Sequence, residues 1–364
     1  MSSVHFAYTV YNPASYGQAC GPVPSWRNLP VDQLRWPAPI HSPFSITYHA
    51  LQMLQRRFTT KLYDIAERTA ANLEDGDVFI GHLFPKDGAF GGEGMQADLE
   101  TVGFRTLEKY GRGRTCIFQP FVYIPEIVEM QWLESAFMNQ CDSFVAICGE
   151  YWERTWHASP LALNNRKFLR LNMSIDAENY PWVRKRFNPK GKRRFLYVGH
   201  TRPYKNTAQL EQMAERMPGF EGGCFSELKG WHQISKEFVM LTPQVMSQLA
   251  EHYDVFLSTS TADAQATTVI EQMSSGFPIA CTPQTGYEGP TIIKLDPFDT
   301  EFNCHQLENI QSMDEEELMT LALTNRKLVE TEYSWEYSMS RLEKFVAEML
   351  AENNLGERGL ECLR

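Results

Sequence analysis

No apolar run in the sequence approaches 18 residues, and the amino-terminal stretch lacks a basic region followed by an apolar one. These absences argue against a membrane-spanning helix or a secretory leader, so a soluble, cytoplasmic protein is expected. Cysteine is present without pattern: the eight residues at 20, 116, 141, 148, 224, 281, 304 and 362 form no CxxC pair and have no matching histidine spacing. A zinc site is therefore not expected, and reduced thiols are. Positive charge is in deficit, with a net charge of -11, which argues against a general nucleic-acid binder. Internal repeats and low-complexity tracts are also missing. The glycine-rich segment KDGAFGGEGM (86–95) has neither GK[ST] nor the Rossmann glycine spacing, and reads as a loop, over an acceptor if it has a role.

What is present is a globular composition, 43% hydrophobic and 12% aromatic, on 364 residues. That length is long for one core and comfortable for two domains of about 150–200 residues each. Strand-like runs recur at VHFAYTV (4–10), DVFIGH (77–82), TCIFQPFVYI (115–124), DSFVAIC (142–148), RRFLYVG (193–199), DVFLS (254–258) and FPIACT (277–282). Helical patterns lie between them, at 46–58, 61–73, 125–137, 207–217 and 242–253. Continuous apolar strands separated by helices predict parallel sheets covered on both faces, a doubly wound α/β architecture. Seven basic residues, a proline and a glycine in WVRKRFNPKGKRRFL (182–196) break the pattern, which places a domain boundary there. The expected organisation is 1–183, 184–345 and a terminal helix or tail over 346–364 that packs back toward the first domain. The basic stretch 184–194 has two readings: a solvated connector, or a patch attracting an anionic lipid surface or a lipid-linked acceptor.

The segment STSTADAQATTVIEQMSSGFPIACTPQTGYEG (258–289) carries the most chemistry. A buried strand at 255–257 runs into a hydroxyl-rich loop, and a helix is predicted over about 267–275, closed by Gly276 and followed by Pro278. A helix opening at the carboxyl end of a strand offers free N–H groups and a positive dipole end to phosphate. Glu271, one turn in, could accept hydrogen bonds from ribose hydroxyls, and Asp263 stands in the loop before it. Taken singly, either acid reads more readily as a surface residue on an amphipathic helix or in a polar turn. Upstream, FLYVGHTRPYKN places Gly199 at a strand end, with Arg202 and Lys205 in the loop that follows. Two cations there would neutralise a diphosphate, Arg as a fork of donors and Lys as a point charge. Two half-sites following parallel strands of one predicted domain favour a joint role. Asp75-Gly76-Asp77 precedes a strand and reads as a turn rather than a metal-binding acid pair.

Residues 142–345 resemble the retaining nucleotide-sugar glycosyltransferases of glycosyltransferase family 4. The resemblance rests on DSFVAICGEYW with RKFLRLNMSID (166–176), FLYVGHTRPYKN with its glycine six residues before Lys205, the Asp263/Glu271 pair with seven residues between, TGYEG (285–289), and the Ser-Trp-Glu of YSWEYSMSRLEKF (333–345). It implies the GT-B fold, two Rossmann-like domains with an interdomain cleft. It also implies a glycosyltransferase that moves a hexose from a UDP- or GDP-sugar to a saccharide, lipid-linked or other hydroxyl acceptor, with retention and without a metal or other cofactor. Lys205 and Arg202 would bind the donor diphosphate, Gly199 would shape the loop, and Glu271 would take the ribose. Asp263 would face the transferred sugar, and N–H groups around Ala266, Thr267 and Thr268 would meet the phosphates. His82 would approach the donor sugar and acceptor from the first domain; a structural histidine is the equal alternative. Gly17 and Gly21, in the loop after the first strand, would approach the acceptor if that loop is more than irregular.

Three departures stand against the family pattern. Asp263 replaces a glutamate, Ala264 and Ala266 replace glycines, and His200 stands where an arginine usually follows the strand glycine. They keep open a catalytically silent nucleotide-sugar-binding protein, and another GT-B enzyme such as a nucleotide-sugar epimerase or a phosphorylase.

Overall fold

The structure, a computed structural model, describes residues 2–8, 44–64, 67–82, 102–110, 114–119, 143–158, 167–237, 239 and 241–361. The chain divides into two compact units. The first takes residues 1–147, 159–171 and 339–364, and the second takes 148–158 and 172–338.

The first unit holds a parallel sheet of β1 (Val4–Tyr8), β2 (Thr60–Asp64), β3 (Val78–His82), β4 (Thr115–Gln119), β5 (Ser143–Ile147) and β6 (Lys167–Leu171). Their order is β2-β1-β3-β4-β5-β6, so the direction of winding reverses between β1 and β3. Val4, Phe6, Phe79, Ile80, Val145 and Ile147 are buried, as strands covered on both faces require. At its edge the structure corrects one expectation. Residues 61–73 do not form a helix: β2 pairs with β1 from Val4↔Thr60 to Tyr8↔Asp64, and the described residues after it are irregular. Ala, Glu and Arg in that stretch favour a helix locally, but β1 leaves an open edge and the alternation in Lys61-Leu62-Tyr63-Asp64 suits it. The predicted helix at 125–137 and the loop 86–95 lie outside the described residues. Asp75-Gly76 is the expected turn, with Gly76 at φ 79° and Asp77 N–H donating to the Glu74 carbonyl at 3.1 Å.

The second unit holds β7 (Phe195–Tyr197), β8 (Gly222–Cys224), β9 (His232–Gln233), β10 (Val255–Ser258), β11 (Ile279–Cys281) and β12 (Ile292–Lys294). All pairs are parallel and the order is β12-β11-β10-β7-β8-β9. Successive strands run outward from the centre on both sides, so the reversal falls between the adjacent β7 and β10. The core joins Phe195, Tyr197, Val255, Leu257 and Ala280 on the strands to Leu210 and Met213 on the helix Thr207–Arg216, and to Leu307 and Leu318 on later helices. The helix Thr267–Ser275 spans the predicted residues and ends at Gly276, whose φ of 97° suits glycine at a helix terminus.

The basic stretch 184–194 is only partly solvated. Arg184 is 3% exposed, and its guanidinium donates to the carbonyls of Gly276, Ala250, Tyr253 and Asp254 at 2.6–3.3 Å. Its plane lies over Phe277 and Phe187, 4.4 and 4.7 Å from the ring centroids. Burial pushes it down to about 10, partly offset by Asp254, so it stays a cation at neutral pH. Arg193 is also buried, Lys190 pairs with Asp314, and Arg194 pairs with Glu221. An attraction to an anionic surface would rest on the exposed Lys185, Arg186 and Lys192. Among the described residues, no helix is long and apolar enough to cross a membrane.

Candidate functional site

Open parallel sheets hold ligands beyond the carboxyl ends of their strands, where the order reverses. In the second unit that point is flanked by the loop after β7, with Gly199, Arg202 and Lys205, and the loop after β10, with Asp263. The two loops are tied together. Thr261 N–H donates to the Tyr204 carbonyl at 2.8 Å, and the Thr259 hydroxyl donates to the Asn206 carbonyl at 3.0 Å. Across them, the Lys205 ammonium forms an ion pair with the Asp263 carboxylate, both side chains largely buried at 14% and 16% exposure. The Ser260 hydroxyl donates to the same carboxylate at 3.4 Å.

Local geometry explains how each loop is held. After β7 the chain makes a single turn at Pro203–Lys205 and enters the helix Thr207–Arg216 through Asn206 in the left-handed region, φ 51°. Asparagine tolerates that conformation better than most side chains. Gly199 is needed for space: a Cβ there would lie 2.5 Å from the Tyr197 hydroxyl, which donates to the His200 carbonyl. After β10, the Trp152 indole N–H reaches the carbonyls of Asp263 and Gln284 at 2.8 and 3.1 Å. Gly149 N–H donates to the Ala264 carbonyl, and Gly149 lies so near Gly286 that a Cβ on it would stand 1.9 Å from the Gly286 oxygen. The Gln265 side chain accepts from Met173 N–H at 2.5 Å and donates to Asn172 at 3.3 Å, so the NMSID turn braces the acid loop. Ser174 in turn donates to the Ser334 carbonyl, which ties in the Ser-Trp-Glu segment.

Among the described non-glycine residues only Asn206 has a positive φ, so Ala264 and Ala266 carry no conformation that would demand glycine. Ala266 N–H is engaged by the Thr285 carbonyl at 3.0 Å. Thr267 and Thr268 open the helix, and their N–H groups have no hydrogen-bond partner among the described residues. Those two donors, at the positive end of a helix, suit an anion.

Glu271, one turn further, keeps some contact with solvent but has protein packed around most of its carboxyl. Burial pushes that carboxyl up to about 7, against a lowering pull from the Tyr180 hydroxyl, which donates to Oε1 at 3.1 Å. His200 sits beside the cations with its outer edge in solvent. Burial, then the charges of Lys205 and Arg202, push its imidazole down to about 4, with Asp263 pulling the other way. Arg202 N–H donates to its Nδ1 at 3.2 Å, which places the proton of the neutral ring on Nε2, 3.1 Å from the Tyr204 hydroxyl. His200 therefore adds no positive charge at neutral pH.

The structure thus brings Gly199, Arg202, Lys205, Asp263, Ala266, Thr267, Thr268 and Glu271 to the two loops and one helix around a single reversal point. His82 is the last residue of β3 in the first unit. Gly17 and Gly21 lie outside the described residues. Trp152, Gln265, Tyr180 and Tyr204 were missed by sequence reasoning; Trp152, Gln265 and Tyr204 stand within segments that the sequence singled out, and Tyr180 does not. Among the described residues, no three His, Cys, Asp or Glu side chains gather as metal ligands. A separate cavity of about 970 Å³ on this unit is lined in part by Arg194, Glu221, His252 and Tyr253. Arg194 and Glu221 directly precede β7 and β8, so it opens at the amino ends of the strands, away from Lys205 and Asp263.

No protein-family model and no curated protein sequence matches the chain. Solved structures do. A sucrose-phosphate synthase from Thermosynechococcus elongatus is similar over 97% of this chain and 100% of that one, with a TM-score of 0.58 and 11% identity. A UDP-forming α,α-trehalose-phosphate synthase from Burkholderia vietnamiensis is similar over 88% and 82%, with a TM-score of 0.51 and 12% identity. An E. coli trehalose-6-phosphate structure bound with UDP-2-fluoro glucose is similar over 84% and 77%, with a TM-score of 0.52 and 11% identity. The chain spans 54% of the chain in the crystal structure of TarM. At such identities the likeness is one of fold: two parallel-sheet, Rossmann-like domains of the GT-B class.

Proposed function

We propose that the protein is a glycosyltransferase that moves a hexose from a nucleoside-diphosphate sugar to a saccharide or other hydroxyl acceptor, with retention and without a metal. The observation that carries this reading is the meeting of Lys205 and Asp263 at the β7/β10 reversal, beside the unpartnered N–H groups of Thr267 and Thr268. The fold of neighbours that include a structure bound with UDP-2-fluoro glucose supports it.

The chemical demand is leaving-group stabilisation. As the bond between anomeric carbon and phosphate oxygen breaks, negative charge grows on the departing diphosphate, and fixed donors placed there lower the barrier. Lys205 and Arg202 supply cations, Thr267 and Thr268 supply backbone donors, and Glu271 receives ribose hydroxyls. Asp263, released from Lys205, would accept from hydroxyls of the transferred sugar. Retention would follow if the acceptor attacked the face that the nucleotide leaves; this feature rests on the resemblance to family 4. The silent-protein alternative drew its force from Ala264 and Ala266, and neither residue has a positive φ that would call for glycine.

The test is donor hydrolysis across a panel of UDP- and GDP-hexoses. Slow release of nucleoside diphosphate from one of them is expected, reduced at least about tenfold by Lys205→Ala, the loss of roughly one charge-assisted contact. Failure of every nucleotide in the panel to bind or to raise thermal stability would overturn the reading.

A further inference from the structure

Tyr180 belongs to none of the motifs that carry the resemblance, yet it is the only described hydrogen-bond donor on the Glu271 carboxylate, at 3.1 Å. Its position is fixed through its own backbone. The Tyr180 carbonyl accepts from the Ser274 hydroxyl at 2.6 Å and from an Arg326 Nη at 2.7 Å. Arg326 also reaches the Ser274 carbonyl at 2.8 Å and the Ala177 carbonyl at 3.4 Å, and its Nε pairs with Glu330. Three residues on, Val183 N–H donates to the Ser275 carbonyl. Ser274 lies three residues after Glu271, on the same face and one turn along. The backbone that carries the phenol and the acid it touches are therefore referenced to one helix.

Resting on the nucleotide-sugar reading, we propose that Tyr180 is the positioning residue for Glu271, holding Oε1 so that Oε2 is the acceptor offered to the ribose. A carboxylate accepts from two hydroxyls best when both oxygens are free. With Oε1 already engaged, the carboxyl plane is set before ligand arrives, and the incoming hydroxyl meets one defined lone-pair direction.

The same contact governs charge. Ionised, Glu271 offers ribose its full acceptor capacity, which protonation reduces, and no cation among the described residues offsets its burial. Arg326, on the helix Glu315–Thr331, is spent on carbonyls and Glu330. Lys205 is held by Asp263. Tyr287 turns its hydroxyl to the Ala266 carbonyl at 2.9 Å, and Asp176 beside Tyr180 adds only negative charge. Tyr180 donates to the charged form and so favours it. Its removal must move the titration of Glu271 upward and leave less carboxylate at neutral pH.

The experiment follows the Glu271 side-chain carbon by NMR through a pH titration, assigned by its loss in Glu271→Gln, alongside UDP and GDP affinity. Burial, which pushes the carboxyl up to about 7, sets the midpoint expected for the wild type. Tyr180→Phe is expected to raise it by about half to one pH unit, the worth of one hydrogen bond to a charged acceptor. Affinity for the bound nucleotide falls about two- to fivefold at neutral pH and recovers about two units higher. Ser274→Ala, which leaves the phenol but loosens its anchor, shifts the midpoint less in the same direction and keeps the test valid if Tyr180→Phe unfolds. A midpoint that stays still or falls in both variants overturns the positioning role, even where affinity drops. A wild type that binds neither nucleotide overturns the ligand half of the proposal while the midpoint shift still reports the contact, so the two failures are distinguishable.

Discussion

On the proposed reading, Asp263 should act as a built-in competitor for the phosphates assigned to Lys205. The perturbation is Asp263→Asn, which keeps the size and a hydrogen-bonding oxygen but removes the charge. With side chains 14% and 16% exposed, the pair sits between surface and interior. At about 4 Å and an effective dielectric near 20, the attraction is about 4 kcal/mol gross. Side-chain ordering and desolvation offset most of that, leaving about 1–2 kcal/mol net. A diphosphate must overcome that amount to claim Lys205, and must also approach the Asp263 charge. Neutralising Asp263 should therefore tighten binding of sugar-free UDP or GDP by about 5–30-fold, read by calorimetry at low salt. The gain should shrink as ionic strength rises. The intact donor should show less gain, because the variant also loses an acceptor for sugar hydroxyls. Unchanged or weaker binding of the free nucleotide would refute the reasoning, since an acid that serves the sugar alone has no effect on a ligand without one.

Two further predictions concern stability. Arg184→Met removes the donor from four carbonyls at the amino end of the second sheet, and should cost about 3–5 kcal/mol, the range for breaking a buried charged network. A change below about 1 kcal/mol in the denaturant midpoint analysis would show that water replaces the guanidinium. In the first unit, His5 is buried with Nε2 2.9 Å from Asp77 and Nδ1 2.7 Å from the Tyr63 hydroxyl. Burial holds the His5 imidazole below its usual value despite Asp77, while the backbone N–H groups of Ser3 and Glu74 and the His5 contact outweigh burial and hold Asp77 below its own. Both folded-state values are depressed, so both groups stabilise above their unfolded values, about 6.5 and 3.9, and that stability is lost as pH falls. His5→Gln should flatten the loss that sets in as pH falls through about 6.5, and should also weaken the Asp77-linked loss at lower pH, because the His5 contact helps to hold Asp77 down; an unaltered slope below about pH 6.5 would remove His5 from the account.

The local chemistry of the second unit was largely readable from sequence. Val255-Phe256-Leu257, the hydroxyl loop and Thr267–Ser275 ending at Gly276 are specified by residues close in the chain, and the structure has the same strand, loop and helix. What escaped were long-range pairings. The helix signal in 61–73 lost to a strand edge 56 residues upstream, through the Val4↔Thr60 register. Arg184 looked like one of several solvated cations because its carbonyl partners lie 66 to 92 residues downstream. Tyr180 had no pattern at all, since its meaning depends on Glu271, 91 residues away. The loops after β1 and β3, which flank the reversal in the first sheet, remain expectations.

The discontinuous first unit has a consequence for synthesis. Its sheet begins at Val4, yet Glu343, Glu352 and Asn353, which reach Arg57, Lys167 and Asp77, are translated only after the second unit. The whole of 172–338 emerges in between. At roughly 5–20 residues per second, a ribosome needs about 10–35 s to cross that interval. The half begun first is thus the half completed last, and the second unit can close while the first still waits for its final segment.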